Sequence, residues 1–349
     1  DNVSVKEVTR DNVPRIDYSG CPHILAEPQR TNLIPYSEDL SQSTWIASNQ
    51  TVSLSEVLSP NGTSFSYKLT ATADYSKIRE DLILSATTTY TVSFYTKNIS
   101  AANPRIFAYD QNNAATLLSK SYGSELSNSE WVRITGTFTT TTAATIQLQI
   151  SRDLMDSEEM LIWGASLEVG SYPTSYIPTS GSTVTRNQDQ FSRDGIGSLI
   201  NSTSGSFFIE MAALNQPPGS QISISLSGDT SSDRILIYSG SGGGSWLVQF
   251  RKDTGNIVAM QETATITNQS KVAVSWEAGR YVMYIDGIKA TNYTTGSETT
   301  STTFDVGDLK NLQLSPNNGA SSNLFYGKVK QLQVYKTALT DEQLSNLTS

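Results

Sequence analysis

Cysteine and histidine are almost missing: the 349 residues hold one of each, Cys21 and His23. A single thiol forms no intrachain disulfide, so packing and hydrogen bonds must hold the chain together. A single imidazole leaves Ser/His/Asp or Cys/His catalysis, and any histidine-rich metal site, resting on one residue. The plain reading of the Cys21–His23 pair is a small buried thiol beside a hydrogen-bonded imidazole. Charge is scarce too, at 16% of residues, with 24 Lys and Arg against 33 Asp and Glu and a net charge of −9. No Lys/Arg block occurs, which argues against nucleic acid or an anionic membrane surface as a partner. No run of about 18 apolar residues occurs, so no membrane insertion by a helix is expected. No secretory signal is visible, and a start at Asp1 reads as a processed or partial chain.

What is abundant is Ser, Thr, Asn and Gly, with β-branched residues throughout. That composition favours all-β structure with polar, uncharged faces. The length suits about two domains. Short strands with period-two alternation recur at Ser64–Ala71, Tyr90–Thr96, Val132 to Phe138 and Ile146 to Ile150. They resume at Ile222 to Leu226, Ile235 to Ile237, Trp246 to Phe250 and Val272 to Trp276. One wet and one dry face per strand, with no helices between, argues for antiparallel sandwiches. Asp286-Gly287, between Ile285 and Ile288, predicts a two-residue hairpin. A long strand is expected over Leu324–Tyr335. A closing helical turn is expected over Thr340–Leu347, with Thr340 and Gln343 in a capping box and Leu339, Leu344 and Leu347 facing the sheet.

Between the two series lies Leu161–Arg186, LIWGASLEVGSYPTSYIPTSGSTVTR. Strict alternation puts Leu161, Trp163, Ala165 and Leu167 on one face and Ile162, Gly164 and Ser166 on the other. Gly170, Pro173, Pro178 and Gly181 then end the strand. The stretch is too apolar for a flexible tether, so an ordered crossing is expected, with its tyrosines packed on both neighbours. The organisation read from this is an extended lead-in over 1–35, a first body over 36–170, a Tyr/Pro connector over 171–186 and a second body over 187–349.

Three segments resemble known families. PRIDYSGCPHILAEPQRTNLIPYSEDLSQSTW, Pro14–Trp45, is similar to the lead-in of tailed-phage tail-fibre and related virion proteins, where it precedes a carbohydrate-binding-module-like jelly roll. WVRITGTFT, Trp131–Thr139, and the join resemble that module's closing strands and exit. VAVSWEAGRYVMYIDGIKA with FYGKVKQLQVYKTALTDEQLSNL is similar to the concanavalin A-like, laminin-G-like sandwich. The resemblance implies an all-β chain: a jelly roll and a concanavalin A-like sandwich in tandem, an extended N-terminal segment and a short C-terminal helix. It implies a non-enzymatic virion surface protein, a tail fibre or head decoration, that attaches to surface glycans of a bacterial host. Its partners would then include other virion proteins and further copies of itself, a trimer being the habit of fibres. The alternatives are the accessory carbohydrate-binding portion of a secreted polysaccharide-degrading enzyme, or a purely structural decoration protein.

The Glu-x-Asp-x-x-Glu strand of sandwich hydrolases does not occur, so no catalytic carboxylate pair is assigned. Asp153, Asp156, Glu158 and Glu159 form an acidic loop, read as a solvated turn, with calcium the alternative cofactor. No other metal or cofactor is expected. Sugar binding needs aromatic faces beside planar polar groups, so loop-side aromatics are the candidates. In the first body these are Tyr75, Tyr109 and Tyr122, with Asn112; in the second they are Tyr238, Trp246 and Tyr293. Trp131, Trp163 and Trp276 lie in strand patterns and read as structural, and Trp45 as core. Ser239–Ser245, SGSGGGS, opens onto a strand and reads as a hairpin loop rather than a phosphate cradle.

Overall fold

The computed structural model of the chain describes residues 16–17, 21–215, 222–229, 232–240, 244–253, 255–316 and 322–349. The centre of the 239–245 loop, at 241–243, lies outside the described residues. The chain divides into two compact units, one of Gln29–Asn187 and one of Asp1–Pro28 with Gln188–Ser349.

The first unit is a jelly roll of two five-stranded antiparallel sheets. One runs in the order Ala115–Ser121, Arg105–Asp110, Ala144–Arg152, Lys77–Leu84, Ile46–Ser48. The other runs Val132–Thr139, Thr89–Asn98, Glu159–Val169, Phe65–Ala71, Gln50–Leu58. Alternation supplies the core between them, with Ile106, Ala108, Ile146 and Leu148 from the first sheet and Phe94, Ile134, Leu69 and Leu167 from the second.

The strand Glu159–Val169 does not keep the strict alternation expected of it. Its pairing with Thr89–Asn98 slips between Trp163 and Ser166, and Gly164 sits there at φ 67°. The extra residue turns the chain over, as bulges do. Ile162 therefore shares the core face with Ala165 and Leu167. Trp163 lies instead between the rings of Tyr95 and Tyr176, at 5.7 and 4.6 Å, and donates to Ser64 Oγ.

The stretch expected to cross between bodies is a clasp on this one. Tyr176 donates to Glu38, and its hydroxyl shares a 2.6 Å hydrogen bond with Ser37 Oγ. Thr174 donates to the buried Glu168 through both its amide and its hydroxyl. Asn32 donates to Ala165 O and Ile177 O. Val184–Arg186 pairs with Arg30–Asn32, and Arg30 lies over the Tyr172 ring.

The second unit packs two seven-stranded sheets. One runs Ile16–Asp17, His23–Ala26, Gly327–Tyr335, Gly205–Ala213, Ser270–Glu277, Arg280–Ile285, Ile288–Lys289. The other runs Ser192–Arg193, Asn311–Gln313, Ser223–Ser227, Arg234–Ser239, Ser245–Lys252, Gly255–Thr263, Asn292–Thr295. Phe207, Trp246, Phe250, Trp276 and Tyr281 lie in the core between them. Of the lead-in's described residues, His23–Ala26 adds to this unit's sheet, and Arg30–Asn32 pairs with Val184–Arg186 in the first unit.

The Asp286-Gly287 turn has φ 48° and 82° and joins the paired Ile285 and Ile288. The last long strand starts at Gly327, later than expected, because Leu324 makes only an isolated bridge to Ser223. The helix Asp341–Thr348 opens on the Thr340–Gln343 capping box. Leu344, Leu339 and Leu347 pack on Phe208, Val282 and Tyr284 of the sheet's outer side. Cys21 is exposed rather than buried, because it stands in a bend ahead of a near-edge strand. Its carbonyl lies 3.0 Å from His23 Nδ1, whose Nε2 faces Asp17 at 3.3 Å.

Candidate functional site

The side of the first jelly-roll sheet turned away from the core gathers the groups that sugar binding requires. Because Ile106 and Ala108 enter the core, alternation turns Arg105, Phe107 and Tyr109 outward. The same rule turns out Thr145, Gln147 and Gln149 from the next strand and Lys77, Arg79 and Asp81 from the one after. Register then sets them side by side. Thr116, Tyr109, Gln147 and Asp81 form one cross-strand row; Ser119, Phe107, Gln149 and Arg79 form the next. A pairing shift after Gln149 brings Arg152 opposite Arg105.

The rings of Phe107 and Tyr109 are nearly parallel, 13° apart with centroids at 6.2 Å. The Arg152 guanidinium lies over Phe107 at 4.1 Å from the ring centre and donates to Gln149 Oε1 at 3.3 Å. This is an apolar ridge flanked by planar amides and guanidiniums, on a sheet rather than on loops. Planar donors and acceptors beside aromatic carbon can hold hydroxyl pairs and C–H surfaces together. The two carboxylates on the face are each ion-paired. Asp81 lies 3.2 Å from Arg79 Nε, and Asp153 lies 3.3 and 3.6 Å from Arg152 and Arg105.

Of the residues chosen from the sequence, Tyr109 belongs to this face. Asn112 lies just beyond its strand, where its Oδ1 accepts the Thr145 amide. Tyr75 is 70% exposed and stands at the opposite end of the sheet, where the Asp153 amide donates to Ser76 O. Tyr122 is corrected to core: it is fully buried, meets Phe94 edge-on at 5.6 Å, and donates to Ile150 O. Trp246 is also corrected to core, fully buried among Phe250 and its neighbours, with no partner for Nε1 among the described residues. A ring with no exposed surface cannot meet a sugar.

Tyr293 leans on the core and donates to Tyr281 O, and burial pushes its phenol up to about 12. Tyr238 is half-buried on the outer side of its sheet beside Leu247, and burial raises its phenol also. Its neighbours there are closed off: Ser225 and Ser227 are buried and donate to Ser315 O and Gln313 Oε1. Trp163, Trp276 and Trp45 are buried, and Trp131 is half-buried with Nε1 donating to Leu58 O.

Phe107, Gln147, Gln149 and Arg152 were missed in the sequence. A period-two run, Arg105-Ile106-Phe107-Ala108-Tyr109, carried the signal, since its large aromatics alternate with the apolar residues that make the core. In the acidic loop Asp153, Glu158 and Glu159 are each engaged by protein partners. Glu158 accepts the Ala102 and Met155 amides, Glu159 pairs with Lys68 and Thr70, and Asp153 pairs with two arginines. Among the described residues no three His, Cys, Asp or Glu side chains come together as a metal site. Among them, too, no helix is long and apolar enough to cross a membrane.

Residues 186–345 match the family model described as the Concanavalin A-like lectin/glucanases superfamily. The second unit is thus a concanavalin A-like sandwich. No curated protein matches the chain. Among solved structures it is similar to the Ruminococcus gnavus IT-sialidase CBM40 bound to alpha2,3 sialyllactose, at 17% identity and TM-score 0.36, over 44% of this chain and 85% of that one. It is similar to the SAP-like pentraxin from Limulus polyphemus, at 16% identity and TM-score 0.33, over 43% of this chain and 72% of that one. It is also similar to the N-terminal CBM22-1-CBM22-2 tandem domain of Paenibacillus barcinonensis Xyn10C, at 11% identity and TM-score 0.34, over 90% of this chain and 99% of that one.

Proposed function

We propose that this chain holds glycans without cutting them, and that the outward sheet face around Phe107 and Tyr109 is its sugar surface. The observation that carries the reading is the parallel ring pair, the stacked Arg152 and the half-buried Gln147 on the outward face of one sheet, with the buried Gln149 accepting from Arg152. The lectin element in the description of the family matched by 186–345 supports glycan holding by the second unit; the face in the first unit rests on its own geometry. Holding rather than cutting is supported by the face's carboxylates, which are tied to arginines instead of poised as an acid and a base. Display on a phage virion, as tail fibre or head decoration, is the setting we propose from the resemblance of Pro14–Trp45 to phage lead-ins. A shallow face of this kind gains strength by repetition on a particle.

The second reading is the carbohydrate-binding portion of a polysaccharide-degrading enzyme, favoured by the glucanases within the same family description. A glycan array probed with the whole chain tests the first reading. Phe107→Ala and Tyr109→Ala should each weaken binding by roughly tenfold, the scale of one aromatic contact. Binding unchanged in both variants, with their folds intact, removes this face from the function. Labelled antibody on purified particles decides the setting: no label on any virion leaves the enzyme-linked reading.

A further inference from the structure

The sugar surface is electrically unlike the molecule that carries it. The chain has a net charge of −9. The face itself presents Lys77, Arg79, Arg105 and Arg152 against Asp81 and Asp153, four cations to two anions. Asp74 stands in the adjoining loop, where it accepts the Asp156 amide. The excess is concentrated at one spot, where Arg105 and Arg152 share the single carboxylate of Asp153.

A guanidinium has five N–H donors in a planar fork. Arg152 directs Nε to Asp153 and Nη1 to Gln149; Arg105 directs Nε to Asp153 and Nη1 to Ser119. Among the described residues neither Nη2 group has a hydrogen-bond or ion-pair partner, and the side chains of Arg152 and Arg105 are 34% and 43% exposed. Stacking on Phe107 holds one of the two forks in place. Two neighbouring forks with outward donors and one shared counter-charge suit a planar anion that lies against an apolar ridge.

We infer that this face selects acidic glycans, and specifically polysaccharides bearing carboxylates, with the acid group on Arg105 and Arg152 and the sugar ring along Phe107 and Tyr109. The inference rests on the sugar-surface reading above and adds the substrate class to it.

The test compares polygalacturonate with the same polymer after carboxyl reduction, by calorimetric titration of the full chain. Preference for the acidic polymer of about tenfold is expected, fading as salt is raised above roughly 0.15 M. The double substitution Arg105→Gln with Arg152→Gln should erase the preference. Equal affinity for the two polymers overturns the acidic selection and leaves the sugar surface standing. Binding of dextran sulfate with none of polygalacturonate overturns the carboxylate assignment in favour of sulfate. No binding to any of the three, in the protein as it stands, overturns this inference; loss of all array binding as well overturns the reading beneath it. The polymer comparison needs no variant, so a misfolded double mutant would not blunt it.

Discussion

Glu80 is a side chain whose surroundings disagree with its charge. It enters the jelly-roll core between Ile78 and Leu82, is 3% exposed, and leaves Oε2 without a partner among the described residues. Burial pushes its carboxyl up to about 7, with help from the neighbouring Asp81 charge. An unfolded chain releases this proton near 4.5, whereas the folded one keeps it to about 7. Between those values the folded state binds more protons, so stability falls as pH rises through the window and levels off above it. The loss is on the order of 3 kcal/mol. Glu80→Gln should therefore leave stability near pH 4 almost unchanged and raise it above pH 7. Urea melts of parent and variant at both values check this, and a gap independent of pH would refute it. Alternation between Ile78 and Leu82 already puts Glu80 on the apolar face of its strand, but how deeply that face is buried is set only when the strand is docked. Tyr122 and Trp246 failed for the same reason: proximity to a turn in sequence says little about depth in the core.

At the scale of single elements, the clearest case is the bulge in Glu159–Val169. Gly164 holds φ 67°, and a Cβ there would meet the Tyr95 and Tyr176 rings at 3.4 Å, an ordinary contact. The penalty for Gly164→Ala therefore comes from the backbone, about 1–2 kcal/mol, and thermal melts of the jelly roll should register it. A variant as stable as the parent would mean that the strand runs without the bulge. The C-terminal helix offers a second measurement. Thr340 accepts the Gln343 amide, and Gln343 Oε1 accepts the Thr340 amide. Thr340→Ala should cost about 1 kcal/mol, with amide exchange rising first in Asp341–Thr348. Both cap and hairpin were legible in the sequence because their chemistry is local. The bulge was not, since one glycine in a strand is compatible with regular pairing until the partner strand sets the register.

For the molecule as a whole, the two units are interleaved along the chain. His23–Ala26 pairs with Gly327–Tyr335, residues from opposite ends of the sequence. Beside that pairing, Ile24, Phe191, Leu312, Leu314, Val329 and Leu332 line a cleft of about 230 Å³. Removing residues 1–28 strips two strands, Ile16–Asp17 and His23–Ala26, from this sheet and leaves the Gly327–Tyr335 edge unpaired. Calorimetry of the shortened chain should show the concanavalin A-like unit melting several degrees lower, on the order of 5 °C, with the jelly roll unmoved. An unshifted transition would show that the N-terminal strands add nothing to that core.

Composition, period-two patterning and local turn and cap motifs were enough to establish an antiparallel all-β chain, a tight Asp-Gly hairpin and a capped terminal helix. Those features depend on backbone preferences and on neighbours a few residues away, which the sequence carries directly. The proposed sugar surface came from elsewhere. Thr116, Phe107, Gln149, Arg79 and Arg152 are scattered over 74 positions of sequence and become neighbours only through strand register. Register, the outward sense of each strand and the depth of each aromatic are settled by which sheets pack together, and that is decided in three dimensions.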